Sequence, residues 1–210
     1  MLRNRLMLAA AAVALASVFS VPALADDAAG QSPWQIRARA IYVVPDESAK
    51  ITVIGGDVSV DDAVVPEVDV TYFLDNNWSL ELIAATTEHN VKHTPTGIDL
   101  GSVWLLPPTL TAQYHFDVDG PIRPYVGAGI NYTIFYNVDD PAGFDIKYEN
   151  RFGWALQAGV DIPFGDQGYF FNLDVKKLFL STNVNINSGF IKASVDLNPW
   201  IVGAGVGLRL

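Results

Sequence analysis

From Trp34 onward the chain alternates apolar and polar residues in short runs separated by turn formers. Over residues 34 to about 43, Trp34, Ile36, Ala38, Ala40 and Tyr42 share one face, with Gln35, Arg37 and Arg39 on the other. A period of two marks a strand with two unlike faces. The alternation recurs over residues 64–74, 78–85, 109–116, 125–134, 152–162, 171–176 and 200–210. Eight strands are predicted, an even number. Pro199 cannot donate to a ladder, so the pattern predicts a bulge there and a change of phase upstream.

The connections alternate in length. Residues 75–77, 117–121 and 163–168 are short and turn-rich, whereas 45–63, 88–102, 137–150 and 181–191 are long and read as loops. Short turns at one end and long loops at the other are the layout of an outer-membrane barrel, with the turns in the periplasm. Trp34, Tyr42, Tyr72, Trp78, Tyr114, Phe116, Tyr169, Phe171 and Trp200 sit near strand ends, where rings at headgroup depth anchor a barrel.

Composition sharpens the choice. Half of the 210 residues are apolar, 17% are charged and none is Cys, which excludes a disordered chain, a disulfide scaffold and any thiolate chemistry. The formal charge of −10 has the wrong sign for a nucleic-acid binder. Arg3 and Arg5, the apolar stretch 6–19 and Ala23-Leu24-Ala25 form a secretory signal over residues 1–25, leaving residues 26–210 as the mature domain. Without the signal, 11 basic residues face 23 acidic ones. No mature segment reads as a spanning helix, yet mean hydropathy is positive, at +0.23. Strands that show apolar residues to lipid at alternate positions resolve that conflict. A soluble eight-stranded barrel of lipocalin type would reverse the two faces. The signal peptide, aromatic ends and loop lengths favour an all-β, eight-stranded, antiparallel up-and-down transmembrane barrel in the bacterial outer membrane.

With the strands placed, the chain resembles the OmpW family of eight-stranded outer-membrane proteins. The resemblance is carried by RARAIYVVP (37–45), LELIAAT (80–86), LPPTLTAQYHF (106–116), RPYVGAGINYT (123–133) and NPW (198–200), in the family's order. It implies a narrow barrel with a largely apolar pocket open to the outside, passing small hydrophobic compounds, with sideways exit into the bilayer. Two departures stand out. The chain ends in Leu210 where family members end in an aromatic residue that the outer-membrane assembly machinery reads. Lys176 stands where some members carry Trp, while Ile83 keeps an apolar match to a residue implicated in closing the pocket floor.

The inward face assigns two candidate regions. Arg37, Arg39, Arg123 and Arg209 meet Glu81, Asp161 and Asp174 near the short-turn end. Charges in so narrow a lumen must be paired, so they are expected to form an ion-paired periplasmic plug. Above it Ile41, Val43, Ile83, Ala85 and Ala155, with Lys176 at their edge, form the expected ligand-binding lumen. The glycine runs 127–129 and 203–207 lie inside strands with no Lys-Ser/Thr after them, so they read as packing in a narrow barrel and not as phosphate loops. His89 and His93 lie four apart in a long loop with no evident third ligand, so no metal is expected, nor any cofactor. Asp57, Asp61, Asp62, Asp99, Asp139, Asp140 and Asp145 make an acidic rim, either solvated or able to capture Ca²⁺. Expected partners are outer-membrane lipid, small hydrophobic compounds and the assembly machinery. The competing functions are a structural or adhesive surface barrel, or a lipid-modifying enzyme, for which Ser102 with His89 or His93 is the only available combination.

Overall fold

The computed structural model describes residues 32–52, 55–94, 96–117, 119–141 and 143–210, so the segment read as a signal peptide lies outside the described residues. Eight long strands make the barrel: β1 (Trp34–Val44), β4 (Ala63–Phe73), β5 (Trp78–Ala85), β8 (Thr109–His115), β9 (Arg123–Asp139), β11 (Arg151–Pro163), β12 (Tyr169–Phe179) and β15 (Trp200–Arg209). Each pairs antiparallel with the next, and β15 returns to β1, with Gln35 opposite Arg209 and Val44 opposite Trp200. Closure leaves no open edge, as a barrel in lipid requires.

The alternation decides which face looks where. Gln35, Arg37, Arg39, Ile41 and Val43 are buried in the lumen, while Ile36 and Tyr42 are exposed. Outside, Phe152 is 73% and Trp154 69% exposed, with Leu82, Leu156 and Val202 beside them in the same condition. A soluble barrel of lipocalin type would show the opposite arrangement. Aromatic pairs gird the short-turn end: Trp34 on Tyr72 at 4.8 Å, Trp78 on Tyr114 at 5.1 Å and Phe164 on Phe171 at 4.4 Å between ring centroids. Tyr132 on Phe152 at 4.7 Å, with Trp200 under the Lys177 ammonium, marks the other end.

The connections read as long loops are largely strand, which corrects the sequence reading. They hold β2 (Ser48–Ile51), β3 (Val58–Val60), β6 (Thr87–His93), β7 (Ile98–Leu106), β10 (Lys147–Tyr148), β13 (Ser181–Ile186) and β14 (Ile191–Asp196). Strands β3, β6 and β7 join the upper part of β9, and β10, β13, β14 and β2 form a second sheet. Val58, Val91, Val103, Leu105, Ile146, Val184, Ala193 and Val195 from both sheets make one buried cluster above the barrel mouth. These segments alternate too, but their runs are shorter and broken by Gly, Asp and Asn. The change of phase expected at Pro199 is also absent. Lys177 faces Trp200 and Ser181 faces Asp196, so the register continues across the break and no residue is inserted.

Gly129 and Gly205 show why glycine recurs within strands. A Cβ on either would lie 2.7 Å from the facing strand's Cα, of Thr111 and Arg39 respectively, so these strands approach as close as backbone allows. The short turns are held by side chains. Asp75 Oδ1 accepts hydrogen bonds from the backbone N–H of Trp78 at 2.7 Å and of Asn77 at 2.8 Å. Those bonds, Trp78's first, hold its carboxyl below the ordinary value of 3.8. A depressed acid stabilises the fold above its unfolded value, and that contribution is lost as pH falls through the folded value. The titration sensed by the Asn77 and Trp78 amide resonances should therefore be centred below pH 3.8. A titration centred at or above that value would contradict the turn's geometry.

Candidate functional site

The lumen has two storeys. In the lower one, Arg37 is fully buried. Its Nε donates to Asp69 at 2.8 Å, and its Nη2 donates to Glu81 at 2.5 Å and to Thr71 at 3.0 Å. Arg39 Nη2 lies 2.8 Å from Glu67, 2.8 Å from Asp69 and 3.1 Å from Glu81. Lys176 Nζ bridges Glu67 at 2.9 Å and Asp174 at 3.0 Å. Asp161 joins more loosely, 3.8 Å from Arg37 Nη1. Five carboxylates thus share three cations. Neutral donors supply more: Tyr125 Oη and Gln157 Nε2 each donate to Asp174 at 2.8 Å, Thr111 to Glu81 at 2.9 Å, and Asn172 to Asp161 at 2.7 Å. Three close contacts of the network, Arg39 with Glu67 Oε1 and Asp69 Oδ2 and Lys176 with Asp174 Oδ1, are ion pairs without hydrogen-bond alignment. An interior charge is tolerable only when paired and hydrogen-bonded in this way.

The strands place these groups by register. Arg37 and Arg39 are two apart on β1 and so share the inner face. They stand opposite Asp69 and Glu67 on β4, which sets opposite charges side by side. Glu67, Asp69, Tyr125, Gln157 and Asn172 were not assigned to the plug by sequence, although their inward positions follow from the same alternation. Arg123 and Arg209 depart from the expected plug. Among the described residues neither lies within 4.0 Å of a carboxylate. Arg123 Nε donates to the Gly120 carbonyl at 3.3 Å, and Arg209 Nε to the Ser32 carbonyl at 2.9 Å. Both stand at the short-turn end, below the network, in the last ladder pairs of their strands: Arg209 faces Gln35, and Arg123 faces Asp161, whose Oδ1 turns instead to Asn172 and Arg37.

Above the network opens an apolar cavity of about 110 Å³. Ile41, Val43, Ile83 and Ala85 line its lower part, as expected, and Glu67, Lys176 and Thr109 form its floor. Ala155 is buried behind that wall, packed with Ile41, Val43, Leu178 and Ile201. Lys176 is therefore no free pocket cation: it is held by two carboxylates beneath an apolar hollow. Sequence reading did not assign the upper part of the cavity, where Val91, Val103, Val184 and Val195 converge from the two outer sheets beside Ile146. Tyr148 joins that wall, and burial, helped by Asp140, pushes its phenol up to about 12, so it stays neutral.

The wall has a seam between β5–β6 and β7–β8. Ile83 pairs with Thr109 and Thr87 with Leu105 in a single register, but residues 84–86 and 106–108 between them form no ladder. Pro107 and Pro108 have no N–H to give. On the other side the wall stays closed, with Tyr132 N–H donating to the Pro108 carbonyl at 3.1 Å. Ala85, Thr87, Leu105, Pro107 and Thr109 all line the cavity, so the seam separates it from the exterior.

The remaining candidates do not assemble. His89 and His93 both point inward from β6, not from a loop. His89 Nδ1 lies 2.7 Å from the Asp61 carbonyl, and His93 is bound by Thr96 and the Gly55 carbonyl. Ser102 donates instead to Glu88 at 2.9 Å on the other face, so no Ser–His pair forms. Among the described residues no group of three metal-ligating side chains comes together.

The comparisons agree with this architecture. A family model described as the OmpW family matches residues 30–210. An outer-membrane protein of Sinorhizobium fredii, y4mB, itself described as uncharacterized, is 45% identical over 95% of this chain and 90% of its own. The dibenzothiophene metabolism operon protein PahQ of Pseudomonas aeruginosa is 31% identical over 85% of this chain and 89% of its own. The crystal structure of the outer membrane protein OprG from Pseudomonas aeruginosa matches with a TM-score of 0.74 at 27% identity, covering 88% of this chain and 99% of OprG. Family model, relatives and closed barrel coincide, and this chain belongs to the OmpW family of outer-membrane β-barrel proteins.

Proposed function

We propose that the barrel takes up small hydrophobic molecules from the extracellular side, holds them in the apolar cavity and releases them sideways into the bilayer. The carrying observation is the continuity of the cavity, from the two outer sheets down to the Glu67–Lys176 floor, over an ion-paired network. Burial of apolar ligand surface there is worth about 25 cal/mol per Å² before the costs of binding. The network closes the route to the periplasm, because a solute passing it would have to strip buried charges of their partners. The seam at residues 84–86 and 106–108 offers a way out. A relative named for a dibenzothiophene metabolism operon supports a fused-ring aromatic compound as the kind of cargo. Neither step requires a cofactor or a catalytic group.

The test is uptake of an apolar fluorescent dye by liposomes with and without the protein. Faster uptake with the protein is expected, and equal rates would reject the proposal. Sideways exit has its own variant. Pro107→Ala restores an N–H opposite residue 85 and lets the ladder close. Dye should still bind the variant while transfer into the bilayer slows severalfold; unchanged transfer would place the exit elsewhere.

A further inference from the structure

We propose that the short-turn end of the lumen, periplasmic in the orientation given above, is a binding site for a phosphate group. A second cavity of about 100 Å³ lies there, beneath the ion-paired network and separate from the hydrophobic one. Arg123, Arg209, Gln35 and His115 line it, between the rings of Phe73 and Phe170, with Asp161 and Asp119 also at its wall. Two guanidinium groups thus face one hollow, and among the described residues neither has a carboxylate within 4.0 Å, although the chain has an excess of acids.

Each arginine is fixed from behind. Arg209 stacks over Phe73, 3.5 Å from the ring centroid, and spends its Nε on the Ser32 carbonyl; Arg123 spends its Nε on the Gly120 carbonyl. The forked Nη edges are left for a ligand, and a planar fork suits the oxygens of a phosphate. Gln35 supplies an independent observation. It is 4% exposed, lines this cavity, and among the described residues its Nε2 has no hydrogen-bond partner. A buried amide donor without a partner is costly unless something occupies the space before it. The carboxylates at the site do not fill that role. Asp161 turns its Oδ1 to Asn172 at 2.7 Å and to Arg37, and Asp119 lies exposed on the turn. The exposed acids elsewhere on the chain act weakly here, since exposed charges beyond about 10 Å are screened at ordinary salt.

The same chemistry has two sources, free phosphate and the headgroup of an inner-leaflet phospholipid, and titration separates them. The full chain in alkyl maltoside micelles is titrated with sodium phosphate, then with phosphatidylglycerol, with sodium chloride at matched ionic strength as reference. The readouts are the Arg123 and Arg209 Nε–H resonances and the Gln35 side-chain amide. Saturable shifts with inorganic phosphate identify a free anion; saturation with the lipid alone identifies a headgroup. In Arg123→Gln and Arg209→Gln the affinity should fall about tenfold or more, the usual effect of losing a charge-assisted hydrogen bond. Heat-modifiable migration and unchanged dye binding in the upper cavity verify that the variants are folded. Shifts no larger than those with chloride, or a folded double variant that responds like the parent, would overturn the proposal.

Discussion

Replacing Arg37 with Ala is expected to destabilise the barrel by about 3–5 kcal/mol, the usual effect of removing one partner from a buried charge cluster. Its guanidinium reaches Asp69, Glu81 and Asp161, all of them buried. Without it five carboxylates would be left with Arg39 and Lys176 alone, and water would have to enter to solvate them. Urea unfolding in micelles measures the first effect and single-channel recording the second. Conductance should rise severalfold in Arg37→Ala, and further when Arg39→Ala is added. A loss below about 1 kcal/mol with unchanged conductance would mean that water already reaches these groups, as at an exposed pair. Neutralising the partners with Asp69→Asn and Glu81→Gln in the Arg37→Ala background should recover part of the stability, because the orphaned charges are then gone.

The second large effect concerns the cavity. Ile83→Trp and Val103→Trp each put an indole into the hollow, one just above the network and one in the outer sheets. Each should cost about 1–3 kcal/mol of overpacking. Dye uptake should fall about tenfold or more, since 1.4 kcal/mol of lost binding is already a factor of ten. Leu82→Trp is the control. It neighbours Ile83 in sequence but points outward, 55% exposed, so it should leave uptake unchanged. If all three variants behave alike, the cargo does not pass through this cavity. If only Ile83→Trp is impaired, cargo enters below the outer sheets.

The sequence was informative where a strand separates two unlike environments. Along β1, Arg37 and Arg39 could point only away from lipid, so the lumen side of the barrel and most of the charge network were legible. Depth was not. Arg123 and Arg209 have the same inward parity as Arg37, yet they sit in the last ladder pairs of their strands, where Arg209 faces Gln35 and the Asp161 opposite Arg123 turns to Asn172 and Arg37, and parity carries no information about height. The outer sheets were missed for another reason. Thr87, His89, Val91 and His93 alternate as cleanly as any barrel strand, but the flanking Asp, Gly and Asn residues dominated the reading. Val58 and Val60, Val103 and Leu105, Val184 and Ile186, and Ile191, Ala193 and Val195 stand at alternate positions and were the available signal for the upper cavity. Lys176 shows the opposite case. A charge at an aromatic position of the family suggested a polar pocket, whereas in the fold Glu67 and Asp174 neutralise it and the hollow above stays apolar. The Pro107-Pro108 pair was visible as a motif, but its meaning depends on the unbroken register on either side, which only the paired strands reveal.

Magnetisation transfer from a bound aromatic hydrocarbon to the protein's methyl groups in a bilayer tests directly whether the hollow holds cargo. Saturable contacts should appear at Ile41, Ile83, Val103 and Val184, which face the cavity, and not at Leu82, Leu156 or Val206, which face outward. Contacts confined to the outward methyls, growing with hydrocarbon concentration and never saturating, would mean that the hydrocarbon merely dissolves in the lipid around a filled barrel.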